Sequence, residues 1–180
     1  MAARTSFETR PCPIARSLDE VGEWWSILLL RDAFQGLTRF DQFQKSLDIA
    51  PNILTRRLNS LVERGLFEKR AYCERPLRHE YVLTAKGRDF RPVLLTLLAW
   101  GNRHLAPEGP SLVVVDTADG RWADPVLVDK ETGRQLDSGG FVLATGPTAS
   151  DRMRRRYRFS SEGPGLPLIE NGGQGEARSR

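Results

Sequence analysis

Histidine and cysteine are scarce in this 180-residue chain, two of each. So few leave no metal-ligand set at the usual spacings, and no glycine-rich phosphate loop is present. Nor are there paired carboxylates on one face outside an acidic C-terminal stretch, so no enzyme, cofactor or metal is expected. His79 and His104 fall in a strand pattern and a helix pattern, where both have structural explanations. Cys12 and Cys73 make no disulfide framework, which points to the cytoplasm. Long apolar runs are missing too. The longest candidate, Val93 to Trp100, falls far short of the roughly 20 residues of a membrane span. The N-terminal arginines have no apolar segment behind them before Trp24, so no signal peptide is expected.

Charge is unevenly spread. The formal net charge is +4 and the pI about 9.4. Residues 56–91 hold ten Lys or Arg against five acids, whereas residues 107–150 hold three against seven. A basic excess of this kind can neutralise phosphates or merely solvate a face. The length suits one domain with a real core plus a smaller appendage.

The basic region opens on APNILTRRLNSLVERG, residues 50–65. Pro51 suits a first helical position, where its missing N–H costs nothing. Leu54, Leu58 and Leu61 form one apolar stripe, and Gly65 is placed to stop the helix. The opposite stripe carries Asn52, Thr55, Arg56, Asn59 and Glu63. Such a face suits an ordinary amphipathic surface helix, or one whose N-terminal half enters the DNA major groove.

Three helices are expected before it. The first runs from Pro13 to about Val21, with Ile14, Leu18 and Val21 on one side and Gly22 closing it. The second, around Trp25 and residues 27–30, is apolar nearly all round and therefore buried; Gly36 ends it. The third runs from Arg39 to Leu47 with Phe40, Phe43 and Leu47 inward.

After Gly65 the period changes. Residues 66–72 and 79–83 read as strands around a turn-like CERPLR, giving a hairpin with Arg75 and Arg78 at or near its tip. The fold class expected is α+β, a winged helix-turn-helix with a small β-rich C-terminal extension. Thr84 can cap a long last helix from Ala85 to about Leu105. Phe90, Leu94, Leu97, Gly101 and Leu105 make one stripe, and Val93, Leu97, Trp100 and His104 a second. Its own domain covers one; a second copy of the chain, or residues 110–150 folded back, covers the other. A two-fold dimer sets recognition helices about 34–36 Å apart and implies an inverted-repeat operator.

Residues 12–101 resemble the HxlR-type winged-helix transcriptional regulators, relatives of the MarR group. The matching motifs are Cys12-Pro13-Ile14, Gly22, Trp25, Leu30-Arg31-Asp32 and Arg39-Phe40-Asp41. They continue through Pro51, Leu54-Thr55, Arg57-Leu58, Leu61 and Gly65-Leu66, then Arg78, Glu80-Tyr81, Leu83-Thr84, Gly87 and Trp100-Gly101. Trp24 stands where a basic residue is usual, Ala50 where a serine cap is common, and Cys73 where proline is frequent. The resemblance implies a homodimer bound to double-stranded DNA, with reactive small molecules as effectors in many members.

On that basis Asn52, Thr55 and Arg56 are the expected base-edge readers. Arg57 is expected either to contact a phosphate or to brace the helix against an acid. Arg75 and Arg78 are expected wing contacts, although Arg78 could equally pair with Glu80. Cys12, just before Pro13, is either a thiol sensor, as in similar members, or a small core residue. Cys73 is a candidate resolving thiol. The competing class is a winged-helix interaction module that does not bind DNA.

Four segments are expected: an arm at 1–11, the winged helix with its dimer helix at 12–106, the extension at 107–150, and a basic short helix with a disordered tail at 151–180. In the extension, residues 111–116, 125–129 and 141–145 read as strands, and a short helix covers about 148–159. The extension resembles a ribbon found on some HxlR-type proteins. Asp119, Asp129 and Thr132 stand where cysteines fall in that ribbon, so no metal is expected. The extension is left with effector binding, dimerisation or the covering of apolar surface as its roles.

Overall fold

The computed structural model describes residues 7, 10, 12–137 and 139–156. The expected arm and most of the tail beyond residue 156 therefore lie outside the described residues. The chain divides into two units between Val126 and Leu127.

The first unit carries helices α1 (Pro13–Val21), α2 (Trp24–Phe34), α3 (Phe40–Leu47) and α4 (Pro51–Glu63). Strands β1 (Phe67–Glu74) and β2 (Leu77–Leu83) follow, then α5 (Ala85–Arg88), α6 (Arg91–His104), β3 (Val114–Val115) and β4 (Trp122–Ala123). The core is built from Leu29 and Leu30 of α2, Phe43 of α3, Leu54, Leu58 and Leu61 of α4, and Phe67 of β1, all fully buried or nearly so. The Phe43 and Phe67 rings meet at 6.2 Å between centroids, which fixes the hairpin on the helices.

The hairpin is antiparallel, with a register shift between Ala71 and Cys73. Its strands run further than expected, so only Arg75 and Pro76 form the tip and Arg78 lies in β2, opposite Cys73. The Tyr81 N–H donates to the Thr38 carbonyl at 2.7 Å, and Arg39 forms an isolated bridge to Glu80, so the chain entering α3 is tied to the edge of β2. Asp48 ends α3 in the left-handed region at φ 47°, turning the chain sharply into α4.

Packing treats the helix stripes unequally. On α1, Ile14 (65 % exposed) and Leu18 (50 %) face outward and only Val21 joins the core. On the opposite side of α1 Asp19 is buried, its carboxylate accepting from the Phe7 N–H. The helix expected to run unbroken from Ala85 is interrupted at Asp89 and Phe90. Pro92 has no N–H for the Arg88 carbonyl and its ring would collide with it, so a new helix starts with Phe90 as its cap. Phe90 and Leu94 pack on the core, whereas Val93 (52 % exposed), Leu97 and Trp100 (51 %) do not.

Of the first strand expected in the extension, Val114 and Val115 pair, with Trp122 and Ala123, which no pattern marks. Tight turns cut the ladders short. The carboxylates of Asp116 and Asp119 accept from the N–H groups of Ala118 and Arg121 at 2.9 Å each, satisfying donors locally. The Asn102 carboxamide on α6 donates to the Leu112 carbonyl at 2.9 Å, holding this segment to α6 beyond the Pro-rich linker.

In the second unit, part of the expected strand 125–129 pairs across the turn: Val128 bridges Gln135, the Asp129 N–H donates to the Arg134 carbonyl at 2.8 Å and the Leu136 N–H to the Leu127 carbonyl at 3.0 Å, whereas no strand forms over 141–145. The Asp129 carboxylate closes the turn by accepting from the Thr132 N–H at 2.9 Å and hydroxyl at 2.6 Å. These bonds, the hydroxyl's first, hold the Asp129 carboxyl below the usual carboxylate range. Helix α7 (Asp151–Arg156) begins later than expected.

Candidate nucleic-acid interface

The site is built on α4. Its apolar stripe is sealed into the core, so Asn52, Thr55, Arg56 and Asn59 are turned outward. Ala50 supplies no capping side chain, and the Ile53 N–H is shared between the Ala50 carbonyl at 3.0 Å and the Asn52 Oδ1 at 2.9 Å. The Thr55 hydroxyl donates to the Pro51 carbonyl at 2.8 Å, leaving its oxygen free to accept. Arg56 is exposed and its guanidinium has no partner among the described residues.

Arg57 is different. Its Nη2 lies 2.7 Å from the Glu23 carboxylate. It is engaged inside its own domain, the bracing role of the two considered. Beside it Glu23, Trp24, Trp25, Ile53 and Arg56 line a cleft of about 480 Å³. Trp24, 71 % exposed, stands edge-on to Trp25 and frames the approach to Arg56. In the sequence Trp24 is only a departure from the family pattern; its neighbourhood to Arg56 is a tertiary fact.

On the wing Arg75 and Arg78 are both exposed, and among the described residues no ion pair joins Arg78 to Glu80. The Arg39 guanidinium lies over the Tyr72 ring at 4.6 Å, adding charge partway along the wing. The structure thus brings Arg56 of α4 and the arginines of the wing to the outside, and takes Arg57 away.

Behind the site, Glu20 ties three elements together. It pairs with Arg64 at 3.1 Å and Lys86 at 2.7 Å, and Lys86 also donates to the Arg64 carbonyl at the end of α4. The Thr84 hydroxyl donates to the Gly65 carbonyl at 2.6 Å and accepts from the Gly87 N–H at 3.0 Å, locking the chain between β2 and α5.

Neither cysteine is in this face. Cys12 is the half-buried N-cap of α1, but its sulfur accepts no capping hydrogen bond. Cys73, in β1, donates to the Arg75 carbonyl at 3.6 Å. Among the described residues, no cluster of His, Cys, Asp or Glu is placed to hold a metal, and no helix is long and apolar enough to cross a membrane.

Comparison with known proteins agrees with this architecture. Residues 20–109 match the HxlR-like helix-turn-helix family. A Mycobacterium tuberculosis HTH-type transcriptional regulator, MT3179, is 39% identical over 135 residues, which span 74% of this chain and 85% of that protein. Among solved structures, PA1374 from Pseudomonas aeruginosa, a proposed transcription factor, is 56% identical with a TM-score of 0.60, covering 81% of this chain and 99% of its own. Another, PA1607, is 40% identical with a TM-score of 0.66, covering 74% and 94%. The family and these relatives are transcriptional regulators rather than enzymes. With its winged-helix core and a match over half its length, this chain belongs to the HxlR-like helix-turn-helix family.

Proposed function

We propose that this protein is a sequence-specific transcriptional regulator that binds an inverted-repeat operator as a homodimer, reading bases with Asn52, Thr55 and Arg56. The observation that carries the reading is the division of α4. Leu54, Leu58 and Leu61 are completely buried while the stripe opposite them is exposed and headed by an unpaired guanidinium. A helix anchored on one side and open on the other can enter a major groove without rearranging. Arg75 and Arg78 lie against the backbone or minor groove beside it.

The dimer is supported by exposed Val93, Leu97 and Trp100 on α6 and by Ile14 and Leu18 on α1, apolar side chains that a second copy would cover. Cys12 is the candidate sensing thiol, half-buried at the first turn of α1, with Cys73 as a candidate resolving partner.

The test is a titration on the protein's own promoter region and on scrambled DNA, at two salt concentrations, with and without diamide. Selective, salt-sensitive binding supports the regulator. A response to diamide that Cys12→Ser removes supports the thiol switch, and binding indifferent to diamide rejects it. Equal, weak binding to both DNAs rejects the regulator and favours an interaction module.

A further inference from the structure

Helices α2 and α6 and the segment around β3 enclose a groove of about 480 Å³, entirely within the first unit. Leu28 and Phe34 come from α2, Leu94 and Leu98 from α6, and Val113 and Val115 from the segment beyond the helix. That third wall is held in place by the hydrogen bond from Asn102 to Leu112 and lies outside the stretch that matches the family. The volume falls within the range of about 300–1,000 Å³ usual for small-molecule sites.

The polar groups are few and of one sign. Arg31, Gln35 and Arg91 line the groove, and no acidic residue does. Arg31 is already neutralised, with its Nη2 2.7 Å from the Asp32 carboxylate. Arg91, in the first turn of α6, is exposed, and among the described residues its guanidinium has no partner. An apolar trough with one uncompensated guanidinium fits a molecule with an apolar body and one anionic end.

We propose that this groove binds an amphipathic monocarboxylate, aromatic or medium-chain, whose body lies between α2, α6 and residues 112–115 and whose carboxylate is received by Arg91. The groove residues of α2 alternate with Leu29 and Leu30, which sit in the core against α4. Filling the groove therefore acts on the helix that supports the recognition helix. This last step, an effector role, rests on the regulator reading above; binding itself does not.

Calorimetry of the full chain without DNA tests the site, using 4-phenylbutyrate and octanoate against 4-phenylbutyramide and octanol. The expected result is binding of the two acids, at least about tenfold weaker binding of the neutral analogues, and loss of that discrimination in Arg91→Gln. Val113→Trp, which fills the trough, is expected to abolish binding of all four. Arg91→Gln lies on the exposed rim, so it keeps the test decisive where the tryptophan variant does not fold. No heat with either acid up to about 5 mM, equal binding of acid and amide, or unchanged binding by Arg91→Gln overturns the proposal. So does a dimer dissociated by Val113→Trp with its helical spectrum intact, because the groove would then hold a second copy. Operator affinity with and without 4-phenylbutyrate is measured separately: acid binding by a chain that ignores its operator refutes the regulator and leaves the site.

Discussion

The Arg57 guanidinium and the Glu23 carboxylate form an ion pair at 2.7 Å that joins α4 to the residue capping α2, with Arg57 only 14 % exposed. Its Nε is buried with no hydrogen-bond partner among the described residues. A pair of this kind positions two helices at a desolvation cost, so removing one partner strands the other. Arg57→Ala is expected to destabilise the fold by about 1–3 kcal/mol and to weaken every DNA sequence alike. Glu23→Gln is expected to cost less, and the double variant less than the sum. Urea unfolding of the four proteins checks this; additive losses would show that the two groups do not couple.

Arg56 and Arg75 are expected to fail in different ways. Arg56→Ala flattens discrimination among operator variants, by about 1–3 kcal/mol at the base pair it reads. Arg75→Ala weakens all sequences and lowers the slope of log affinity against log salt by about one unit. Binding isotherms at several salt concentrations separate them, and an unchanged preference in Arg56→Ala removes that residue from the readers.

Asp48 is a non-glycine residue held at φ 47° between α3 and α4. Asp48→Gly is expected to preserve stability or raise it by up to about 1 kcal/mol, since glycine has no Cβ to strain there. Asp48→Val is expected to lower it by about 1–2 kcal/mol and to blur the angle between the helices. Thermal melting of the two variants gives the sign; equal stability would show that the turn tolerates a β-branched residue.

Burial pushes the Tyr81 phenol up from its ordinary value. Because the folded value lies above the unfolded one, the contribution to stability is complete below about pH 10 and is lost as pH rises through the folded value. Stability is therefore expected to fall in alkali, and Tyr81→Phe to flatten that fall. Denaturant midpoints between neutral and strongly alkaline pH measure it, and parallel curves for the two proteins would assign the loss elsewhere.

Much of the first unit was legible because its signals are local. Pro13 and Pro51 mark helix starts, the leucines of α4 recur at helical spacing, and Phe40, Phe43 and Leu47 do turn inward, Phe43 completely. The break between α5 and α6 was equally local, written in Pro92, but apolar spacing ran through it. Which residues of the α1 stripe are covered was not legible, because Val21 enters the core while Ile14 and Leu18 stay exposed, a matter of what stands against each turn of the helix. The ribbon's strands are shorter than expected for a related reason: alternating apolar residues promise strands, while Asp116, Asp119 and Asp129 spend their carboxylates closing turns.

By itself, then, the sequence determined the winged-helix order of elements, the charge asymmetry and the polar, outward stripe of α4, all properties of period and composition. Only the tertiary structure decided which arginine of the Arg56-Arg57 pair is free. Adjacent residues on a helix point about 100° apart, and Glu23, distant in sequence, stands where only Arg57 reaches it. Likewise only packing brought Arg91, Phe34 and Val113 around one groove, since cavities are made by elements that meet and not by any one of them.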